Sequence, residues 1–170
     1  MGYTPWLSRI GYNAECPDLL TQRMLKTIEK ANDKSGAPVH LIGHSLGGVL
    51  AAAAACMAPD RVASVVTLAS PFRGVRINPL LMKAVQYIRI RLPKRNDCGE
   101  EDCFTATCGC GFPDVMRRDF PKHIHQTAVY SRDDGVVDWK TCINNDPETD
   151  VEVKGTHMGM AWNARVFRVI

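Results

Sequence analysis

Apolar residues along the chain alternate between a helical spacing and short continuous runs. From Pro17 to Ser35-Gly36 they recur every three to four residues, which predicts an amphipathic helix. The run Val39 to Ile42 predicts a strand. A glycine-containing turn and an alanine-rich helix, which Pro59 ends, follow this strand directly. This part of the chain therefore has the order helix, strand, helix.

The remaining apolar runs predict more strands and one more helix. The predicted strands are Tyr3 to Arg9, Val62 to Ala69, Ile124 to Ser131 and Val151 to Lys154, and the helix covers about Met158 to Phe167. Because helical segments separate apolar strands, we expect a mostly parallel sheet covered on both faces, a three-layer α/β architecture. Ligands of such sheets bind beyond the carboxyl ends of the strands, where we expect the chemistry.

The segment from Pro71 to Lys122 fits this scheme least. About fifty residues without a strand are too many for an ordinary connection, so we interpret residues 71–122 as an inserted lid in a single domain of residues 1–170. Apolar residues at a helical spacing follow Pro79. This predicted helix either packs on the domain or covers an acyl pocket and makes transient contact with a lipid interface.

Composition and charge exclude several classes of protein. The 170 residues, 45% of them hydrophobic, suffice for one domain with a core. A net charge of +3, without a basic cluster beside aromatic residues, does not favour nucleic-acid binding. The apolar stretches are well short of the roughly 20 residues that span a bilayer, and no secretory signal is evident at the N-terminus. We expect a soluble protein, either cytoplasmic or secreted.

The strongest chemical signal is Gly43-His44-Ser45-Leu46-Gly47, between the predicted strand and the alanine-rich helix. A nucleophile on a tight strand-to-helix turn needs glycines where side chains would collide. This turn places Ser45 at the positive end of the helix and leaves the Leu46 N–H available to a developing oxyanion. The alternative is that Ser45 is an ordinary helix N-cap.

A serine hydroxyl needs a general base before it can act as a nucleophile at neutral pH. Among the five histidines, His157 lies in a glycine-containing loop just after the predicted Val151 to Lys154 strand. A base at this carboxyl end can reach Ser45. His157 is therefore the candidate base, and the alternative is an incidental loop histidine.

The base needs a carboxylate that orients it. Three acids follow the predicted strand that ends near Tyr130. We favour Asp134, because Gly135 permits a turn that directs its side chain back toward the histidine. Asp133 is the second choice and Asp138 the third, and the acids without this role are expected to be turn or capping residues.

Four blocks of the sequence, in this order, resemble the α/β-hydrolase superfamily and its lipase and triacylglycerol-esterase branch: Val39 to Gly48, Leu68 to Phe72, Asp134 to Val137 and Gly155 to Gly159. The resemblance implies hydrolysis of a small-molecule or lipid ester through an acyl-enzyme, with no cofactor or metal. In this reaction Ser45 attacks the ester, His157 transfers the proton, and Asp134 orients His157. Substrate contacts are expected from His44, Phe72 and Met158.

One feature of that branch is missing from this sequence. Its members carry an upstream strand whose loop supplies a second oxyanion donor, and this chain is expected to begin after that loop. The backbone near Tyr3 or Asn13 is a candidate substitute. To fill the empty position in the sheet, we expect either that the Tyr3 to Arg9 strand shifts into it or that a second copy completes the sheet as a homodimer.

Seven cysteines are many for a cytosolic protein. Four of them, Cys98, Cys103, Cys108 and Cys110, crowd into a short segment whose spacing is not that of a standard zinc site. Disulfides in the lid, reduced thiols and a bound metal stay open as alternatives. We do not expect a catalytic cysteine.

The leading hypothesis is a serine carboxylic-ester hydrolase, an esterase or lipase. An acyltransferase or a thioesterase with the same triad is one alternative, distinguished by the acceptor of the acyl group. The missing oxyanion strand motivates a second alternative, in which the chain is a truncated, non-catalytic hydrolase that serves as a binding or assembly module.

Overall fold

The computed structural model describes residues 3–11, 15–73 and 110–170. Its helices and strands, in chain order, are α1 (Pro17–Ser35), β1 (Val39–His44), α2 (Leu46–Met57), β2 (Val62–Leu68), α3 (Phe112–Met116), β3 (His125–Tyr130) and β4 (Asp150–Glu152). Within the described ranges, the four strands form one sheet in the order β1-β2-β3-β4, and each neighbouring pair is parallel. The predicted α/β class with a parallel sheet is confirmed.

Helix α1 has the bounds that its sequence predicts. Pro17 opens it, at a position where the missing N–H costs nothing, and Asp18 lies in the positively polarised first turn. Gly36 ends it with a left-handed φ of 68°, and its N–H donates to the Asn32 carbonyl at 2.8 Å. The face that carries Leu20 and Ile28 is buried, so the apolar spacing marks the side that meets the core.

Helix α2 forms the centre of the core. It packs against α1, β1 and β2, and Ala51 to Ala55 are all buried. Small alanine side chains let the helix lie close to the sheet, while the fully buried Leu50 and Val65 each contribute about 1.5–3 kcal/mol by leaving water. In the described ranges, no helix combines the length and the apolar character that crossing a membrane requires.

The carboxyl ends of the strands lie along one edge of the sheet. The ladder continues past the strands: Ser45 N–H donates to the Leu68 carbonyl at 2.8 Å, and Ala69 N–H donates to the Val129 carbonyl at 2.9 Å. Val153 N–H reaches the Tyr130 carbonyl at 2.9 Å. The loops after β1, β3 and β4, which carry the candidate residues, therefore begin at the same edge of the sheet.

The strand predicted for Tyr3 to Arg9 is wrong. These residues have no regular secondary structure, and β1 is an edge strand of the described sheet, so this segment does not shift into the empty position. Side chains of α1 hold its backbone instead: Thr27 Oγ1 donates to the Ser8 carbonyl at 2.9 Å and Arg23 to the Ile10 carbonyl at 2.9 Å. The homodimer that would complete the sheet stays a prediction.

The α-helix predicted for Met158 to Phe167 is also wrong. Two short 3₁₀ turns, Met158–Trp162 and Val166–Arg168, occupy this segment. Asn163 separates them, because its amide Nδ2 donates to the Lys154 carbonyl at 2.8 Å and its Oδ1 accepts the Arg165 N–H at 2.9 Å. Such side-chain bonds to the backbone compete with a continuous helix.

Most of the predicted lid, including the helix expected after Pro79, lies outside the described residues. The end of the segment is described, and there α3 contributes Phe112 and Val115 to the same buried cluster as α1 and α2. That end is part of the core, and the lid stays a prediction for the rest of residues 71–122.

Candidate active site

Ser45 occupies a strained turn between β1 and α2. Its φ of 54° and ψ of −125° are unusual for a residue other than glycine. The turn is held on both sides, because the Ser45 N–H donates to Leu68 at 2.8 Å and its carbonyl accepts the Gly48 N–H at 3.1 Å. Strain of this kind persists where the surroundings over-determine it, commonly at functional sites. Ser45 is therefore held away from the path of a regular strand or helix.

Two glycines permit this turn by close approach. A Cβ on Gly43 would collide with the backbone of Gly47 and Gly48, and a Cβ on Gly48 would collide with Ser70 Oγ. A Cβ on Gly47 would meet no described atom within 4 Å. The turn therefore requires glycine at positions 43 and 48, whereas Gly47, the second glycine of the predicted motif, has room for a side chain.

His157 links the serine to a carboxylate. Its Nε2 lies 2.9 Å from Ser45 Oγ and its Nδ1 lies 2.7 Å from Asp134 Oδ2. A carboxylate only accepts, so Nδ1 carries the hydrogen, and Nε2 is left with a lone pair toward the Ser45 hydroxyl. His157 is 5% exposed, so water has little access to either hydrogen bond.

Asp134 is the one of the three candidate acids whose carboxylate contacts His157. Its second oxygen, Oδ1, accepts the N–H groups of Val136 at 2.8 Å and Val137 at 3.0 Å. Burial alone would raise the pKa of Asp134, but the hydrogen bonds from His157, Val137 and Val136 outweigh it and lower the pKa below its usual value. The carboxylate is therefore ionised at neutral pH.

The other two acids lie in positions typical of turns. Asp133 is exposed, and its N–H donates to Ser131 Oγ at 3.1 Å. Asp138 caps the 3₁₀ turn Trp139–Thr141, where its Oδ1 accepts the Lys140 N–H at 3.1 Å. Neither carboxylate is bonded to His157.

Much of the chain matches a known protein family. Residues 16–123 match the family model described as alpha/beta hydrolase fold. The chain belongs to the α/β-hydrolase family. The predicted resemblance to that superfamily is therefore confirmed. A search of curated proteins finds no match.

Among solved structures, this α/β hydrolase is similar to the crystal structure of Paleococcus ferrophilus monoacylglycerol lipase. The two share 19% sequence identity with a TM-score of 0.47, and the match covers 81% of this chain and 66% of that chain. This chain therefore spans just under two thirds of the length of that protein.

The predicted oxyanion donor of this α/β hydrolase, the Leu46 N–H, lies at the start of a helix. Leu46 is the first residue of α2, so its N–H has no acceptor within the helix. Of the two predicted substitutes for the second donor, Asn13 lies outside the described residues. Tyr3 stacks edge-on against His40, with ring centroids 5.4 Å apart. At about 3.3 Å per strand residue, His40 is near the end of β1 that is far from Ser45. Tyr3 is therefore not placed to supply the second oxyanion donor.

The three predicted substrate contacts occupy different positions in the hydrolase. His44 is half-buried, and its Nε2 lies 2.9 Å from the His157 carbonyl oxygen. Phe72 is partly buried and packs against the main core cluster. Met158 directly follows His157 and is 69% exposed. Sequence reasoning missed the bond between His44 and His157, and no local pattern signals it.

A buried thiol lies near Asp134 but has a different environment from a nucleophile. Cys142 is 1% exposed, and burial raises its pKa to about 12. Its Sγ donates to the Asp138 carbonyl at 3.8 Å. In the described ranges, no three His, Cys, Asp or Glu side chains are arranged to hold a metal ion. Of the predicted cysteine cluster, Cys98, Cys103 and Cys108 lie outside the described residues.

Proposed function

We propose that this α/β hydrolase is a serine carboxylic-ester hydrolase, with Ser45 as nucleophile, His157 as general base and Asp134 as the residue that orients the base. The observation that carries the proposal is the pair of hydrogen bonds of 2.9 Å and 2.7 Å on the two nitrogens of His157. These bonds give each residue the contact that its role needs.

The first half of the reaction acylates the serine. Ser45 Oγ attacks the ester carbonyl carbon while its proton passes to His157 Nε2. The imidazolium is stabilised by the ionised Asp134, which keeps its charge. The carbonyl oxygen becomes an oxyanion and accepts the Leu46 N–H. When the intermediate collapses, the alcohol leaves with the proton from Nε2, and the acyl group stays on Ser45.

The second half regenerates the enzyme. Water takes the place of the alcohol, gives a proton to His157 Nε2 and attacks the acyl carbon. The second tetrahedral intermediate uses the same Leu46 donor. Collapse returns the proton to Ser45 Oγ and releases the carboxylic acid. The histidine acts as base and acid in turn, so no other proton carrier is required.

An ester with an apolar acyl or alcohol group is the proposed substrate class. Met158 supports this choice, because its side chain is apolar, exposed and adjacent in sequence to the base. Burying a methionine side chain against a substrate contributes about 1.5–3 kcal/mol. A small-molecule or lipid ester therefore suits the site better than a highly charged one.

The test is hydrolysis of p-nitrophenyl esters over a series of acyl lengths, combined with fluorophosphonate labelling. We expect turnover and a label on Ser45 in the wild type, and neither in Ser45→Ala. Ser64→Ala, which removes a hydroxyl from β2, is the matched control and is expected to keep both. An added alcohol that diverts the acyl group from water would assign acyl transfer instead. A folded wild type with neither turnover nor label would overturn the proposal.

A further inference from the structure

His44 precedes the nucleophile in sequence but contacts the base in space. Its Nε2 lies 2.9 Å from the carbonyl oxygen of His157, 113 residues away. The two imidazole rings lie beside each other, with centroids 4.9 Å apart and planes inclined by 46°. A carbonyl oxygen only accepts, so His44 Nε2 carries the hydrogen and donates it.

The backbone at His157 has few other restraints from the sheet. Strand β4 has three residues, pairs with β3 alone among the described strands, and ends at Glu152. After the Val153 bond to β3, residues 154–157 form no further backbone hydrogen bond to any described strand. Asn163 Nδ2 donates to the Lys154 carbonyl at 2.8 Å. The His44 donor therefore ties this loop to the carboxyl end of β1, where Ser45 begins.

We propose that His44 is a positioning residue, which holds the His157 backbone so that the imidazole stays aligned with Ser45 Oγ and Asp134. The inference rests on the proposed function for its catalytic consequence, but the positioning itself is a property of the fold. His44 differs here from the expected substrate contact, because its donor nitrogen already has an acceptor within the protein. A displacement of about 1 Å at a reacting group costs about 10²-fold in rate.

The charge state of His44 suits this role. Burial lowers its pKa, and the neighbouring His157 lowers it further, while the hydrogen bond to the His157 backbone and the charge of Asp134 act in the opposite direction. His44 is therefore neutral when His157 takes a proton. A second cation next to the imidazolium would disfavour that step.

The experiment compares two variants at position 44. His44→Gln places an amide donor near the position of Nε2, whereas His44→Phe keeps a ring but removes the donor. His40→Phe is the matched control, because His40 is an exposed histidine of the same strand whose Nδ1 lies 2.8 Å from Ser64 Oγ. If His44→Phe does not fold, His44→Asn replaces it, since its shorter amide does not reach the His157 carbonyl.

Two readouts are combined. The first is the low-field proton resonance of His157 Nδ1–H, which reports the bond to Asp134 without any substrate. The second is the set of kcat and KM values for a p-nitrophenyl ester. We expect His44→Phe to lose or broaden the resonance and to lower kcat by about 10- to 100-fold with little change in KM. His44→Gln and His40→Phe are expected to keep both near wild-type values.

The outcomes distinguish a failure of the positioning role from a failure of the proposed function. An unchanged resonance in a folded His44→Phe variant would overturn the inference, and so would a raised KM with unchanged kcat, which would make His44 a substrate contact. If the wild type shows no turnover, the proposed function fails, and the resonance alone decides the positioning role of His44.

Discussion

The Nδ1 atom of His157 lies 2.7 Å from Oδ2 of Asp134, although 23 residues separate them. Strands β3 and β4 bring them together, because Tyr130 pairs with Glu152 and both strands end at that pair. The side chains of His157 and Asp134 are 6% and 2% exposed. A carboxylate this well shielded is not readily replaced by water, so its loss leaves a buried imidazole without its partner.

Asp134→Asn is expected to lower kcat by about 10⁴-fold, the effect seen when an orienting aspartate of such a triad becomes an amide. The physical reason is that an amide can donate to Nδ1, which favours the tautomer whose Nε2 carries a hydrogen and cannot accept one from Ser45. Turnover of a p-nitrophenyl ester measures the loss.

Asp133→Asn is the control for this prediction. Asp133 is exposed and its carboxylate does not contact His157 in the structure. We expect this variant to retain the wild-type kcat. A loss in Asp133→Asn together with full activity in Asp134→Asn would reassign the orienting residue.

Gly43→Ala and Gly47→Ala are expected to differ sharply in stability, although both change a glycine of the same turn. A Cβ at position 43 would collide with backbone atoms of Gly47 and Gly48, which have no flexible side chain to move aside. We expect Gly43→Ala to lower the free energy of unfolding by about 1–3 kcal/mol or more. At position 47 the space is open, and alanine is favoured over glycine in helices by about 1 kcal/mol.

Urea unfolding of the two variants measures this difference. Gly47→Ala is expected to be at least as stable as the wild type within about 1 kcal/mol. Equal destabilisation by both substitutions would show that close approach at Gly43 is not what the turn requires.

Stability is expected to fall with decreasing pH through the titration of His44. Burial lowers the pKa of His44 in the folded chain, whereas the unfolded chain has the ordinary value of about 6.5. Between these two values the unfolded state binds more protons. The stabilisation associated with neutral His44 is therefore complete above about pH 6.5 and is lost as pH falls through the folded pKa.

The free energy of urea unfolding, measured from about pH 8 to about pH 5, tests this prediction. His44→Gln removes the titrating group and is expected to have a smaller loss of stability than the wild type over this range. His40→Gln, which removes an exposed histidine, is expected to keep the wild-type dependence. Parallel curves for the wild type and His44→Gln would contradict the prediction.

Cys142 is expected to resist alkylation in the folded protein. With its pKa raised to about 12 by burial, roughly one thiol in ten thousand is ionised at about pH 8, and the thiolate is the reactive form. The residue is also 1% exposed. Iodoacetamide followed by peptide mass spectrometry is expected to find Cys142 unmodified before unfolding and modified after it. Equal labelling rates in the two states would disprove this protection.

Hydrophobic periodicity predicted most of the fold, because it differs between a helix with one buried face and a strand that is buried on both faces. It placed α1 and β2 to within about a residue of their bounds. It failed for Tyr3 to Arg9, where an apolar pattern suggests a strand but no described strand pairs with it. Alternation alone cannot reveal whether a partner strand is available. It failed again near Asn163, whose side-chain bonds to the backbone divide the expected helix.

The sequence by itself determined the turn that presents Ser45 and the order of helices and strands around it. These features depend on glycines and apolar spacings within a few residues, so local physics suffices. Only the tertiary structure decided that Asp134, and not Asp133 or Asp138, meets His157, and that His44 donates to the His157 backbone. Such contacts depend on how parallel strands bring distant loops to one edge of the sheet, and no local stretch of sequence encodes a distance across 23 or 113 residues.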